Sequence, residues 1–405
     1  MSDAIPLPER PNLDQYKKLA RELQRACKSG GEDAVVEWAA RWKEAVNPEV
    51  ARRLWREMQP KCTLTAAQFF LARGHGFASW PKFAAHVEAV AQRNSPAWKF
   101  ETVADAIVTG DLPALQKLLS EDAALIRARS GRDHRSTLLH YISANGVEDF
   151  RQKTPPNIVE ITRTLLDAGA DINAESDAYG GRSTTVDLTA TSYHPQAAGV
   201  QIPLLALLLD RGARVDGRSV VACLQNGRGA AAEFLAAHCT SLDLEGAAGV
   251  GRVDIVDALF DSSTETQRTN GLAWACEFGR PAVAETLLRR GVPVAATLPH
   301  HGQTGLHWAA YGGHAPVVGI LLRHGAPVNS LDASFGGTPL QWALYGWGSA
   351  ATPSGTGDYY DAVAVLAKAG AKLDTVWFEG DDNERRRAIA KLRADPRMLA
   401  ALDGR

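Results

Sequence analysis

Three tryptophans recur at a fixed interval in the C-terminal half of this 405-residue chain. They are spaced 34 residues apart, and the residues three positions after them form a second series: Trp274, Trp308 and Trp342, followed by Glu277, Tyr311 and Tyr345. Residues three apart share one face of a helix, and Trp and Tyr carry much of the energy at binding interfaces. The spacing therefore predicts one wall of a binding site.

Small residues occupy the equivalent positions in the units that precede this wall. Gly246 aligns with the tryptophans and Gly249 with the tyrosines, as do Tyr141 and Gln225, respectively, in other units, and these four residues would line the site in the concave groove. Helices pack ~8–10 Å apart, whereas aromatic rings stack at ~4.5–7 Å. We therefore expect a hollow beside the wall, and room between the tryptophans for a flat ligand or an apolar side chain. In the alternative, each tryptophan simply packs between repeats.

Two acidic residues lie close to the same positions along the chain. Carboxyls in an apolar site acquire raised pKa values and can act as general acid or base. Glu245 and Glu277 are therefore candidate catalytic residues, although most such side chains are solvated charges. His140 and His307 are instead expected to be structural, because buried polar groups are usually satisfied by the fold.

The remaining histidines and glycines do not predict a metal or a cofactor. His300, His301, His314 and His324 have no recurring ligand spacing. The stretch GVGRVD at 249–254 has no preceding strand and does not predict a phosphate-binding loop. No nucleophile motif of a known hydrolase type is present.

Self-similar units fill most of the chain after residue 99 and must position these side chains. We count eight units, whose inner helices begin near Val103, Leu138, Thr185, Val220, Leu244, Leu272, Leu306 and Leu340, with the fourth and fifth degenerate. In each unit Thr and Pro begin an inner helix, an Ala pair permits close approach, and Gly ends an outer helix. A single unit cannot bury its own apolar face, so stacked units supply the core.

Three units carry insertions between the inner and outer helix, at 147–157, 193–201 and 346–358. Insertions in repeat proteins gather on one face, often the binding face, and the Gly- and Ser-rich third is expected to be mobile. The alternative is tolerated loop growth, because long surface insertions cost little.

The repeats resemble ankyrin repeats over about residues 100–375. The resemblance is carried by TGLHWAA at 304–310, GTPLQWA at 337–343, LLDAGADIN at 165–173, LLRHGAPVN at 321–329 and LAKAGAKLD at 366–374. It implies an all-α solenoid in which the aromatic wall borders the concave groove. It also implies that His140 and His307 tie adjacent hairpins together by hydrogen bonds.

The first ninety residues are expected to form five short helices, and this region resembles the helical module that precedes the repeats in bacterial ankyrin-type proteins. Gly30–Gly31 should end the first helix, Thr65 with Gln68 should cap the fourth, and Ser79 with Pro81 should begin the fifth. We expect domains at 1–98, 99–376 and 377–405, the last a helical cap.

Composition limits the class of partner and the compartment. Lys and Arg number 44 against 46 Asp and Glu, so no strong attraction to nucleic acid or anionic lipid is expected. The five cysteines are scattered, which argues against a disulfide framework and favours a reducing compartment. With no signal peptide and no apolar run long enough to span a bilayer, a soluble cytoplasmic protein is expected.

These observations favour a binding scaffold that holds a protein or peptide partner along an aromatic-lined groove. The alternative is a small-molecule or catalytic pocket in the central hollow, with the acidic residues as general acid and base. Neither a metal nor a cofactor is expected in the favoured function.

Overall fold

The computed structural model describes residues 4–42, 52, 55–56, 61–297, 302–348, 358–373 and 389–404. These residues form α-helices, short 3₁₀ helices and one two-stranded antiparallel pairing, so the predicted all-α class is confirmed. No helix in the described ranges is both long and apolar enough to cross a membrane. Internal contacts divide the chain into two compact units, Met1–Arg214 and Val215–Arg405.

The first unit contains nine described α-helices. They are α1 (Leu13–Trp42), α2 (Leu64–Gly74), α3 (Trp80–Ala91), α4 (Pro96–Thr109), α5 (Leu112–Glu121), α6 (Ile158–Asp167), α7 (Thr185–Thr191), α8 (Tyr193–Ala197) and α9 (Gln201–Asp210). Four 3₁₀ helices and two strands complete it: Ala123–Arg127, Leu138–Ser143, Asp149–Arg151 and Ala178–Gly180, with β1 (Glu175–Ser176) paired to β2 (Ser183–Thr184).

Helix boundaries near the N-terminus follow the sequence signals in part. Gly31 has a φ of 63° and interrupts α1, as the predicted stop requires. Ser79 begins α3 with a proline in its first turn, as expected. The predicted cap of α2 is wrong: Thr63 begins this helix, because its hydroxyl accepts the N–H of Ala66 at 3.1 Å. The helix predicted over 48–58 lies mostly outside the described residues.

A disulfide joins Cys27 of α1 to Cys62, just before α2, with the Cα atoms 5.5 Å apart. The expectation that the cysteines stay unpaired is therefore wrong for these two. They are 35 residues apart in the chain, and only the packing of α1 against α2 brings them together. Spacing in the sequence carries no sign of such a contact.

The second unit contains eleven described α-helices. They are α10 (Gly217–Gln225), α11 (Gly229–Ala236), α12 (Leu244–Gly249), α13 (Val253–Leu259), α14 (Glu265–Glu277), α15 (Pro281–Arg289), α16 (Gly305–Tyr311), α17 (Ala315–Arg323), α18 (Pro339–Gly348), α19 (Tyr359–Lys368) and α20 (Pro396–Leu402). Helices α12, α14, α16 and α18 pack in series as inner helices. Their buried small pairs include Ala247–Ala248 and Ala309–Ala310, which permit the expected close approach.

The glycine that follows each of five outer helices has the predicted left-handed conformation. The φ values lie between 84° and 94° at Gly169, Gly212, Gly291, Gly325 and Gly370. A residue with a Cβ atom is strained in this region. The recurring Gly of the repeat is therefore required by the backbone at the end of each helix.

Two inner helices begin earlier than the sequence predicts. Helix α4 begins at Pro96 because Ser95 accepts the N–H of Trp98 at 3.0 Å. Helix α14 begins at Glu265 because Thr264 and Gln267 form a reciprocal capping box. The proposed domain boundary at 98/99 falls inside α4, while the contacts divide the chain at 214/215. The three domains stay predictions.

Polar side chains tie successive repeats together within each unit. His140 contacts the hydroxyl of Thr137 at 2.8 Å and the carbonyl oxygen of Ser183 at 3.2 Å, and His307 forms the equivalent bridge. The predicted structural role of both histidines is confirmed. Asn329 adds a tie that the sequence analysis missed: it donates to Gly370 O at 3.0 Å and accepts from Lys372 N at 2.8 Å.

The first two insertions are held by buried hydrogen bonds. Arg151, in the first, is 3% exposed and anchors a 3₁₀ turn. Gln201, at the end of the second, donates to the carbonyl oxygens of Thr189, Ala190 and Ser192 at 3.0–3.1 Å. These contacts give both insertions a structural role. The third insertion lies largely outside the described residues.

At the C-terminus, α20 packs against α19. Met398 and Ala401 are buried in the core of the second unit. Asp395 begins α20 by accepting the N–H groups of residues 397 and 398, and it also accepts the hydroxyl of Tyr360 at 2.8 Å. The described part of the predicted cap is therefore a helix that covers the last outer helix.

Candidate functional site

The predicted aromatic wall forms on two successive inner helices, α16 and α18. Thr304 begins α16, where its N–H and hydroxyl both contact Nδ1 of His307, at 3.1 and 2.9 Å. Thr338 begins α18 and donates its N–H to Oε1 of Gln341 at 2.7 Å. Because these caps fix the first residue of each helix, Trp308 and Trp342 occupy matching positions.

The rings of this wall contact one another directly. Trp308 and Trp342 form a T-shaped pair with centroids 5.4 Å apart, and Tyr311 lies 5.8 Å from Trp342. Tyr345 stacks on Tyr311 at 6.3 Å, with ring planes 20° apart. The expected space between Trp308 and Trp342 is therefore absent, because edge-to-face contact fills it. A ligand has to approach the wall from outside.

Two rings at the margin of the wall face solvent. Phe335 is 79% exposed and lies 6.2 Å from Trp342, and Tyr345 is 51% exposed. Trp308 is partly buried and packs on the core, with its indole nitrogen buried. We call Trp308, Tyr311, Phe335, Trp342 and Tyr345 the aromatic surface. Its inner rings give support and its outer rings are free to contact a partner.

Asp332 holds the loop that presents Phe335. Its carboxylate accepts the backbone N–H groups of Ser334, Phe335 and Gly337 at 2.7–2.9 Å, and the indole N–H of Trp342 at 3.0 Å. Burial alone would raise the pKa of Asp332, but these hydrogen bonds keep it below the ordinary value. Asp332 was not among the predicted site residues, although an Asp before Ala-Ser-Phe-Gly-Gly is a recognisable turn signal.

Glu277 stands at the last position of α14, one repeat before Tyr311. Its carboxylate makes no hydrogen bond or ion pair with the part of the chain that the structure describes. Burial raises the pKa of Glu277 to about 8. The pKa of the Tyr311 phenol is also raised. Burial is the main cause, and the nearby Tyr345, Tyr359 and Glu277 add to it, so Glu277 interacts electrostatically with Tyr311.

Glu245 has a different environment and serves a neighbouring ring. Its two carboxylate oxygens accept the indole N–H of Trp274 and the amide of Asn270, each at 3.3 Å. Burial raises the pKa of Glu245, and both hydrogen bonds oppose that shift. Trp274 pairs with Phe278 at 6.4 Å. Two carboxyls that share one site shift each other's pKa. Glu245 and Glu277 are not among the causes of each other's pKa shift, so they do not form such a pair.

The predicted central hollow is filled. A Cβ atom at Gly249 would lie 2.3 Å from Cδ1 of Leu224, and one at Gly246 would lie 3.5 Å from Cγ1 of Val220. Both glycines are buried. The missing side chains therefore admit residues of the preceding repeat, and the prediction of an empty space was wrong. Gln225 is exposed at the end of α10.

Tyr141 belongs to the first unit and is fully buried there. Its hydroxyl donates to Oε1 of Glu148 at 3.2 Å, and its ring meets Phe100 at 6.0 Å. The interpretation of Tyr141 as a groove residue is therefore wrong, because its ring has no access to solvent. It is part of a buried ionic network that the sequence analysis missed.

This network joins two carboxylates and two guanidinium groups. Arg132 contacts Glu101 at 2.6 Å and Glu148 at 2.7 Å, while Arg151 contacts the same two residues at 2.8 and 3.3 Å. Arg151 also reaches Asp105 at 2.7 Å. Burial raises the pKa of Glu148, but the two arginines and His134 outweigh it and hold the pKa well below the ordinary value.

The network fixes the first insertion to α4, and its central side chains are buried from solvent. Arg132 and Glu148 are 1% and 0% exposed. Buried charges of this kind are costly unless paired, and here each is paired at least twice. The four residues are scattered over fifty positions with no shared period, so no signal in the sequence could have grouped them.

Comparison with known families matches residues 272–376 to the model for ankyrin repeats, with three copies. The matched segment contains α15 to α19 and the whole aromatic surface. No curated protein matches the chain. The chain is thus similar to ankyrin repeats in this segment, and the predicted repeat fold is confirmed. Ankyrin repeats are generally protein-interaction modules, which supports a binding scaffold. The number of repeats and the bacterial module stay predictions.

Proposed function

We propose that the chain is a scaffold that holds a protein or peptide partner on the aromatic surface. The observation that carries the proposal is the exposure of Phe335 and Tyr345 against half-buried supporting rings. Exposed apolar residues scattered singly are ordinary, but neighbouring aromatic rings on a rigid support mark interaction sites. Since Asp332 orders the Phe335 loop before binding, little conformational entropy is lost there on association.

Binding is favoured over the catalytic alternative by the arrangement of the carboxyls. A general acid and base would have to meet at one reacting centre. Glu245 is engaged by Trp274 and Asn270, and the pKa shift of Glu245 arises from burial, these two hydrogen bonds and Asp243 rather than from Glu277. With Leu224 filling the space at Gly249, the pocket on which the catalytic reading rested loses its basis.

Site-specific photocrosslinking tests this proposal. A benzoylphenylalanine at position 345 should crosslink a partner in the native host, and Phe335→Ser should abolish the crosslink. Tyr193, which is 54% exposed in the first unit, provides a matched position where no crosslink to that partner is expected. Equal crosslinking from positions 345 and 193 would sink the proposal, as would no crosslink at all.

Changing Trp308 and Trp342 together to Ala would not test the aromatic surface cleanly. Trp308 packs on the core and Trp342 hydrogen-bonds Asp332, so the double change weakens the fold as well as the surface. Tyr345→Ser and Phe335→Ser remove side chains that are mostly exposed. A loss of partner binding in these two variants would therefore not be caused by a loss of stability.

We propose the cytoplasm as the compartment, on the ground that Cys239 and Cys276 form no disulfide. The pairing of Cys27 with Cys62 points the other way, because disulfides persist in oxidising compartments. Rapid alkylation of thiols in intact cells distinguishes the cytoplasm from an oxidising compartment. Labelling of Cys27 and Cys62 supports the cytoplasm, whereas their protection overturns it.

A further inference from the structure

We propose that Glu277 and the neighbouring rings of the aromatic surface receive a cationic side chain of the partner, an arginine or a lysine. This inference rests on the proposed function and adds the chemical class of the bound group. Three observations carry it: the unpaired carboxylate, the adjacent aromatic faces, and the engagement of nearby cations elsewhere.

The carboxylate of Glu277 is partly buried and has no counter-ion in the described structure. An unpaired carboxylate withdrawn from water is costly, and proteins normally pair it or replace it. Burial accordingly raises the pKa of Glu277 to about 8. A cation from outside would restore the missing partner and stabilise the ionised form.

Aromatic side chains follow this carboxylate along the array, and the phenol of the first of them, Tyr311, is close enough for the Glu277 charge to raise its pKa. Glu277 occupies the helix position that Tyr311 and Tyr345 occupy in the next two repeats, and Tyr311 is within its electrostatic reach. Tyr311 and Tyr345 stack, and Tyr345 opens to solvent. A guanidinium or ammonium group is attracted to such ring faces and hydrogen-bonds a carboxylate at the same time. One cationic side chain therefore satisfies both elements.

The cations near Glu277 in the chain are committed to other groups. Arg280 donates to Gly249 O at 2.9 Å and pairs with Glu233. His314 uses Nε2 to contact the backbone oxygen of Glu277 at 2.8 Å, which leaves the carboxylate unpaired. Glu245 adds a second acidic group to the preceding repeat. Once a cation has drawn the proton from Glu277, the ionised carboxylate favours a basic partner segment and disfavours an acidic or phosphorylated one.

Panning a random twelve-residue peptide library against the full chain tests the inference. We expect enriched peptides that contain Arg or Lys and that fail to bind the Tyr345→Ser variant. Peptides that depend on Tyr345 but lack basic residues would overturn the cationic inference and leave the proposed function intact. If no enriched peptide depends on Tyr345, both are overturned.

A matched pair of variants locates the cation. Glu277→Gln should weaken an enriched basic peptide about tenfold or more, the loss expected for a charged hydrogen bond. Glu265→Gln makes the same charge change at the exposed first residue of α14, about 18 Å away along the helix, and should change affinity less than twofold. Equal effects of the two variants would overturn the assignment to Glu277.

The same question can be asked by changing the ligand. Replacing the critical arginine of the peptide by citrulline preserves its shape and removes its charge. This peptide should bind the unaltered chain about tenfold more weakly or worse, and should no longer discriminate it from Glu277→Gln. Full affinity of the citrulline peptide would overturn the inference without any question of protein folding.

Discussion

Glu277→Gln should change the pH dependence of stability in the second unit, independently of any partner. In the folded protein the pKa of Glu277 is about 8, against an ordinary value of 4.5. Between these values the folded carboxyl keeps a proton that the unfolded chain has released. The unfolded state therefore binds fewer protons, and the free energy of unfolding falls as pH rises through this window. Glutamine removes the titration and preserves the shape of the protonated acid.

The size of the effect follows from the shift. Each pKa unit is worth about 1.36 kcal/mol, so a fully dehydrated carboxyl would lose about 5 kcal/mol across the window. Glu277 retains some access to solvent, and screening by water reduces this to roughly 2–3 kcal/mol. The Gln variant should match the natural chain at pH 5 and exceed its stability by about 2–3 kcal/mol at pH 8.

Urea unfolding at pH 5, 6.5 and 8, followed by tryptophan fluorescence and circular dichroism, measures this difference. Glu265→Gln is the control, because the exposed carboxyl at the other end of α14 should give a difference that does not vary over this range. A constant difference between Glu277→Gln and the natural chain from pH 5 to pH 8 would refute the reasoning. It would mean that Glu277 is as well hydrated in the fold as in the unfolded chain.

Four further substitutions test other contacts. Gly249→Ala should lower the free energy of unfolding by about 1–3 kcal/mol in denaturant titrations, since its Cβ atom would lie 2.3 Å from a buried leucine methyl, and an unchanged midpoint would contradict the filled hollow. Gly246→Ala should lower the free energy of unfolding by a smaller amount, because the added Cβ atom would lie 3.2 Å from its nearest neighbour, Oδ1 of Asp243. Arg151→Met should cost about 3–5 kcal/mol by the same measurement, because it leaves two buried carboxylates short of a partner, and a neutral result would show that the network is dispensable. Asp332→Asn should speed amide hydrogen exchange at Phe335 several-fold, because a neutral side chain accepts the Phe335 N–H more weakly than a carboxylate does. Unchanged exchange would show that Asp332 does not order this loop.

Local patterns account for the parts of the fold that were predicted correctly. The glycine after each outer helix, the prolines and threonines at helix starts and the structural histidines act within one repeat or its neighbour. Their positions follow from backbone conformation and capping, which depend on a few consecutive residues. The shared face of Trp308 and Tyr311 follows equally from helix geometry.

Contacts between distant residues account for what was missed. Cys27 and Cys62, or Glu101 and Arg151, meet only because helices pack, and no periodicity connects them. The surroundings of a single residue are equally hard to predict. The missing side chain of Gly249 predicted an empty space, but in the structure Leu224 fills that space. Sequence position indicates which face a side chain shares, while neighbouring repeats decide what fills the space beside it.

The sequence by itself determined the repeat, its turns and the alignment of the aromatic residues, because each depends on short-range geometry repeated along the chain. Only the tertiary structure decided that Trp308 and Trp342 close on each other, that Tyr141 is buried, and that Glu245 is engaged while Glu277 is not. The physical reason is that burial and pairing are properties of the space between repeats. That space is defined by packing rather than by the order of residues.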